Sequence, residues 1–446
     1  MRSKRDFFRY VIPSMLAFAL SGVYAIADGF FVGNALGDNA LAAINIAYPL
    51  TALQQAIGTG IGMGGAILYS ISEGAGDHAK KYRYFGIAGI LMLVFAVFVT
   101  IIFLLAGPYI LVLFGAEGEV LSMSEKYIRF IAYGSLFQIL GTGLVPFIRN
   151  MGGSVTSMLA MVAGFATNIA LDWTFVWTIE LGMAGAALAT VLGQAITWIV
   201  CVLFLIIKKQ APDFRAGKEA LPMTGKILKV GISAFGLTFS PNLVLILVNK
   251  SAAAIASDFA VTCYAAASYV TCVVLLLLQG VSDGAQPLIS KLYGENKERE
   301  AKKIRTYAYI FSTATAFVLC AVIWIFREKI PLIFGASEAV AREVSEIMPI
   351  FLVGLLFAGF SRITTAYFYA TEQVRFAYLL IYGEPVILLL SLLILPQFVG
   401  IVGTWISVSL SQVLISGVSA LLIFLMRKKS ASKIIPAQKS DSSQSQ

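Results

Sequence analysis

Gly58-Thr59-Gly60-Ile61-Gly62-Met63-Gly64-Gly65-Ala66-Ile67-Leu68-Tyr69-Ser70 is an apolar, glycine-rich run without a charge. It returns later as Gly280-Val281-Ser282-Asp283-Gly284-Ala285-Gln286-Pro287-Leu288-Ile289-Ser290. At a constant offset of 222, Gly58 meets Gly280, Gly62 meets Gly284, Ile67 meets Ile289 and Glu73 meets Glu295. Ala79-Lys80-Lys81 then meets Ala301-Lys302-Lys303. Further on, Phe114-Gly115-Ala116 echoes Phe334-Gly335-Ala336 at 220, and Gly182, Gly185 and Gln194 echo Gly400, Gly403 and Gln412 at 218. Three matches in one order, with a slowly drifting offset, mean a duplicated unit. The glycine run is no phosphate loop, because it lies in an apolar span and lacks a closing Lys-Ser/Thr. Close helix packing or a hinge is its better use.

The medium follows from composition. Of 446 residues, 59% are hydrophobic and 13% charged, against about 25% charged in soluble domains. Apolar stretches of bilayer length, about 20 residues, fall at 7–32, 41–70, 84–106, 124–148, 155–177, 184–207, 227–250, 259–290, 306–326, 345–369, 376–395 and 400–426. The expected fold is an all-α polytopic membrane protein with twelve transmembrane helices in two six-helix lobes. Residues 1–207 make the N-terminal lobe, 208–226 a cytoplasmic inter-lobe loop, 227–429 the C-terminal lobe and 430–446 a disordered polar tail. An even span number makes the repeats parallel, about an axis along the membrane normal. Two lobes around a central cleft form a transporter plan.

The 33 Lys and Arg residues are unevenly placed: 26 fall on the side of the N-terminus, Arg149 among them, six on the other, and Arg362 inside a span. This bias puts both termini in the cytoplasm of a cell (inner) membrane. It also explains the net charge of +9 without nucleic acid. Phe7–Val32 is too long for the core of a cleavable signal peptide. Cys201, Cys263, Cys272 and Cys320 lie in apolar spans and His78 in a polar loop, which leaves no ligand set for a metal. No Walker-type motif is present, so ATP drive is not expected, and the membrane composition sets soluble enzyme readings aside, so no enzyme activity is expected.

The informative residues are the polar ones within spans. Asp28 and Pro13 interrupt the first span. A carboxylate at membrane depth costs about 2.5–3.5 kcal/mol on insertion scales and faces a bundle interior or a cavity. Asn168 and Asp172, four apart in the fifth span, project from one helix face, and Thr190 adds a hydroxyl from the sixth. Two acids in one lobe hold a proton near neutral pH or bind a monovalent cation through oxygens. Capping of helix ends is the competing use of Asp28 and Asp172. In the second half, Asp283 is as well explained by a salt bridge with Lys291 as by a transport role. Glu384, before Pro385, is balanced between substrate contact and a structural hydrogen bond, with Arg362 a possible partner of these acids. Tyr24, Gln54, Asp283 and Glu384 are the candidates for substrate contact, although neutral residues such as Gln54, Gln279 and Gln286 commonly join helices.

Asp28-Gly29-Phe30-Phe31-Val32-Gly33, followed by Leu36-Gly37 and Ala40-Leu41-Ala42-Ala43, resembles the first-helix signature of the multidrug and toxic compound extrusion (MATE) transporters. Arg149-Asn150-Met151-Gly152, and Asn168 with Asp172, match further marks. The resemblance covers nearly the whole chain. It implies antiport of amphipathic drugs and organic cations against H⁺ or Na⁺, with no other cofactor, in a monomer embedded in the lipid bilayer. In the prokaryotic branch with acids in the N-terminal lobe, Asp28, Asn168, Asp172 and Thr190 form the coupling site and Pro13 bends with it. Two rivals remain. A flippase for lipid-linked oligosaccharides needs a cavity rich in Arg and Lys, whereas Arg362 stands alone. A receptor or scaffold leaves the duplicated lobes and buried acids without a purpose.

Overall fold

The computed structural model describes residues 4–215, 217–256, 258–333 and 337–434, without the side chains of 25–30, 258, 333 and 427–434. The side chain of Asp28, the Phe334-Gly335-Ala336 echo and the tail beyond 434 therefore lie outside the described residues. Among the described residues there is no strand. The first lobe comprises α1 (Lys4–Leu36), α2 (Asp38–Gly74), α3 (His78–Leu113), α4 (Gly118–Tyr133), α5 (Ser135–Asn150), α6 (Ser154–Asp172) and α7 (Met183–Ile207). The second comprises α8 (Ala220–Ile255), α9 (Asp258–Gly294), α10 (Glu298–Phe326), a short α11 (Ile330–Ile333), α12 (Glu338–Ala370), α13 (Val374–Val399) and α14 (Ile401–Ile434). Eleven of these helices, some with a flanking turn, are long and apolar enough to cross a membrane. The twelfth crossing is the pair α4 and α5, bent by 60° at Gly134. The sequence reads as one continuous span over 124–148, and the structure breaks it.

The structure corrects the register of the repeat. Helices α2 and α9 end at Gly74 and Gly294, α3 and α10 begin at His78 and Glu298, α5 and α12 end at Asn150 and Ala370, and α6 and α13 begin at Ser154 and Val374. Each offset is 220, not 222. Two residues turn a helix by about 200°, so the slip exchanges one face for another. Contacts fix the faces. A Cβ on Gly64 would sit 2.4 Å from the Ile227 carbonyl of α8, across the lobes, and one on Gly284 would sit 2.6 Å from Val11 Cα of α1, also across the lobes. One on Gly62 would instead meet Gly143 of its own lobe at 2.1 Å. Gly64, not Gly62, is thus the counterpart of Gly284. Glycines on alternate positions of α2 allow both registers in sequence, and only packing separates them.

The two lobes touch along equivalent seams, α2 on α8 and α1 on α9. At the face where α1 begins and α14 ends, called here the basic face, a Cβ on Gly74 would lie 2.1 Å from the Lys291 carbonyl and one on Gly294 2.1 Å from the Ile71 carbonyl. This reciprocity marks the pseudo-twofold axis. On that side one apolar core is shared, with Phe7, Val11, Met63 and Ile67 packed among α8, α9, α10 and α12 to α14. On the far side, among the described residues, none of α1 to α7 enters the second lobe's own core, which is built around Tyr264, Phe351 and Trp405. Far from the basic face, Tyr48 on α2 and Tyr269 on α9 are 50% and 52% exposed, and Gln55 and Cys272 are exposed as well. The lobes therefore part into a cleft that opens toward the far face.

The inter-lobe chain is strapped to the first lobe. Asp213 N–H donates to the Tyr82 carbonyl at 3.0 Å, and Gln210 Oε1 accepts from Tyr82 and Tyr69. The Arg215 backbone N–H, with its side chain, holds the Asp213 carboxyl below its ordinary range. α8 itself begins at Ala220, earlier than the sequence placed it, and its Met223 and Ile227 enter the first lobe's core.

Candidate functional site

In the first lobe, α6 carries Asn168 and Asp172 on one face, both buried, with Asp172 at 0% exposure. Asn168 Nδ2 donates to Thr190 Oγ1 of α7 at 3.4 Å, and Thr190 Oγ1 donates to the Ala186 carbonyl. Gly193 lets α7 come this close: a Cβ there would meet Asn168 Cβ at 3.0 Å and the Gly164 carbonyl at 2.8 Å. Asn168 Oδ1 is buried without a hydrogen-bond partner. An orphaned carbonyl oxygen one helical turn from a carboxylate suits a cation's oxygen shell or a proton's acceptor.

Asp172 closes α6, and a π-helical segment, Trp173–Thr178, follows at once. Such wide turns absorb extra residues and recur at functional sites. Here Trp177 Nε1 donates to the Phe31 carbonyl at 3.3 Å, and Phe31 packs edge-on against Trp173 and Trp177. Phe31 lies three residues after Asp28, so the end of α1 that bears Asp28 runs beside the segment that follows Asp172. Tyr24 stacks on Phe165 at 4.8 Å, joining α1 to α6 below the same place. Gln54 is fully buried and donates to Ser135 Oγ at 2.7 Å, bracing the break between α4 and α5.

The second lobe arranges its charges differently. Arg149, which the sequence placed in a loop, is 2% exposed and pairs with Asp283 across the lobes at 3.1 Å. Lys291, the partner expected for Asp283, lies two turns away and pairs with Glu73 at 2.8 Å. Asp283 Oδ1 also accepts from Gln279 Nε2 at 2.7 Å, and Gln279 Oε1 accepts from Arg362 Nη1 at 2.9 Å. Asn150 and Gln286 bond each other reciprocally across the lobes, and Ser70 donates to Asn150. Read up α9, residues 291, 286, 283 and 279 form a polar ladder from the basic face to the floor of the cleft. Glu384 accepts from Gln412 Nε2 at 2.5 Å. The glutamines were legible as interhelical joints. The burial and pairing of Arg149 are not legible in sequence, because it ends an apolar run and looks like a loop cation.

Two six-crossing repeats, a one-sided cleft and buried acids within the bundle define a helical membrane transporter rather than an enzyme. The comparisons agree. A family model, MatE, matches residues 13–174 and again residues 234–391, once in each lobe. The chain belongs to the MatE family. It is similar to the multidrug export protein MepA of Staphylococcus haemolyticus (strain JCSC1435), 25% identical over 424 residues with 94% of this chain and 93% of that protein covered. It is also similar to MepA of Staphylococcus aureus (strain MRSA252), 27% identical over 430 residues with the same coverage. A solved structure described as the outward-facing conformation of a multidrug resistance MATE family transporter superposes with TM-score 0.89 at 24% identity, covering 96% of this chain and 97% of that one. That likeness concerns the fold.

Proposed function

We propose that the protein is a multidrug exporter of a bacterial cell membrane. It exchanges amphipathic organic cations for H⁺ or Na⁺ by alternating access between its lobes, with the basic face cytoplasmic. The observation that carries this reading is Asn168 Oδ1, buried and unbonded one turn from Asp172, in a chain similar to MepA proteins over 94% of its length. Asp28, Asn168, Asp172 and Thr190 form the coupling site. Proton or cation entry there removes net negative charge from the first lobe and changes how α1 packs. The backbone of α1 from Tyr10 to Met15 rests on Gly280 and Gly284 of α9, and Pro13 lies within that stretch, so a bend in α1 reaches the lobe interface directly. Substrate enters the cleft above the ladder, with Glu384 as its anionic contact. The flippase alternative is not favoured, since Arg149 is engaged by Asp283.

The test is drug efflux from proteoliposomes under separately imposed pH and Na⁺ gradients. Efflux that follows one gradient is expected, and efflux indifferent to both contradicts the reading. For orientation, a cysteine at Lys218 should resist an impermeant thiol reagent in intact cells and one at Glu180 should react. The reverse pattern inverts the topology.

A further inference from the structure

Arg362 sits eight residues before the end of α12, about 12 Å along the helix from its basic-face end. A guanidinium at that depth is expensive unless its charge is answered. The protein answers it incompletely. Among the described residues no carboxylate lies within ion-pair distance of Arg362. Asp283, the nearest candidate through Gln279, already has one oxygen on Arg149 and the other on Gln279. Arg362 Nη1 reaches only the Gln279 amide oxygen, and its Nε is buried with no acceptor.

Its surroundings are those of the cleft floor. Cys272, two turns further along α9 from Gln279 and within electrostatic reach of Arg362, is exposed, and Arg362 itself is half-buried. Glu384 on α13 is also within its electrostatic reach, held by Gln412. The repeat gives a control. At offset 220 the counterparts of Arg362 and Glu384 are Thr142 and Gly164, so neither charge is imposed by the duplicated fold. Both are additions of the second lobe.

We infer that Arg362 is a specificity-determining residue that receives the anionic group of zwitterionic substrates, while Glu384 faces their cationic end. The guanidinium fork matches a carboxylate bidentately, and a carboxylate brought by the ligand supplies the acceptors that the protein withholds. This rests on the reading of the chain as a drug exporter and adds to its organic cations a preferred class, amphipathic molecules that carry both charges.

Rhodamine 110 and rhodamine 123 share one cationic fluorophore and differ by a methyl ester that removes the carboxylate. Their binding to the purified full-length protein in lipid nanodiscs is read by fluorescence polarisation. The wild type should bind rhodamine 110 more tightly. Arg362→Gln should weaken rhodamine 110 at least tenfold and tighten rhodamine 123 several-fold, because a like charge has left the floor. Arg362→Lys, which keeps the charge and loses the fork, should fall between and guards against a folding defect in the glutamine variant. Wild-type binding of rhodamine 123 without preference for rhodamine 110, or equal change of both dyes in Arg362→Gln, overturns the inference and leaves drug export standing. Failure of the wild type to bind either dye overturns both.

Discussion

The two lobes share a backbone and differ in where they keep their polar groups. The first lobe carries Asn168 and Asp172 where the second carries Leu388 and Leu392, both buried in apolar packing. Thr190 stands opposite Val408. Conversely, Glu384 occupies the position of Gly164, whose missing side chain lets α6 close on Thr197 and Gly193 of α7. On the proposed function, a duplicated frame of this kind separates two tasks. One lobe buries Asp172 one helical turn from the unbonded Asn168 amide oxygen, an arrangement that suits a small cation or proton. The other sets Glu384 within electrostatic reach of Arg362, a pair of opposite charges that suits an organic ligand. The difference is not spread evenly along the helices. Along α6 and α13 it is concentrated between Gly164 and Asp172, at the equivalent stretch from Glu384 to Leu392, and at the segment that follows Asp172.

The largest effect on stability should come from the ladder that both lobes build together. Arg149→Met leaves Asp283 buried and unpaired, at a cost of about 3–5 kcal/mol. The double variant Arg149→Met with Asp283→Leu should recover much of that loss in a thermal unfolding scan. A double variant no more stable than the single ones breaks the account of the ladder as a cross-lobe pair.

Next come the reciprocal glycines. Gly74→Ala and Gly294→Ala each push a methyl against a carbonyl of the other lobe, with an overpacking cost of about 1–3 kcal/mol. The two costs should match, since the contacts mirror each other. Gly417→Ala, where nothing lies within 4 Å, should cost little. Unequal losses at Gly74 and Gly294 argue against the register of 220. Pro13→Ala should slow turnover more than it weakens drug binding, measured by efflux rate and equilibrium binding on one preparation. The reverse ranking removes the bend of α1 from the mechanism. The smallest effect is expected at the partly exposed Glu73–Lys291 pair, where Lys291→Met should cost no more than about 1 kcal/mol.

Much of this was legible without coordinates, for physical reasons. Crossings show in sequence because a bilayer demands long apolar helices. Asp172 and Asn168 show because polar groups at depth are costly and the helical period puts them together. The register did not show, because glycines at 58, 60, 62 and 64 match the second lobe equally well after a two-residue slip. The drift of the offset from 220 to 218 was visible in Gly182 and Gly400, which share φ near 60° and ψ of −142° as helix caps. Its cause was not. The first lobe holds two more residues between Asp172 and Gly182 than the second holds between Leu392 and Gly400, and the π-helical turn lies in that interval. Arg149 was hidden because a cation at the end of an apolar run reads as a loop residue. Only the neighbouring lobe reveals its partner.

The division of labour is tested most directly by uphill drug efflux from proteoliposomes carrying Asp172→Asn or Glu384→Gln, each at wild-type protein density. Asp172→Asn should lose gradient-driven efflux for every drug while still binding drug, since the coupling acid is gone and the cleft is intact. Glu384→Gln should keep gradient-driven efflux and lose dicationic drugs more than monocationic ones. Full uphill efflux by Asp172→Asn, with coupling lost instead in Glu384→Gln, would contradict the account and move the coupling site to the second lobe.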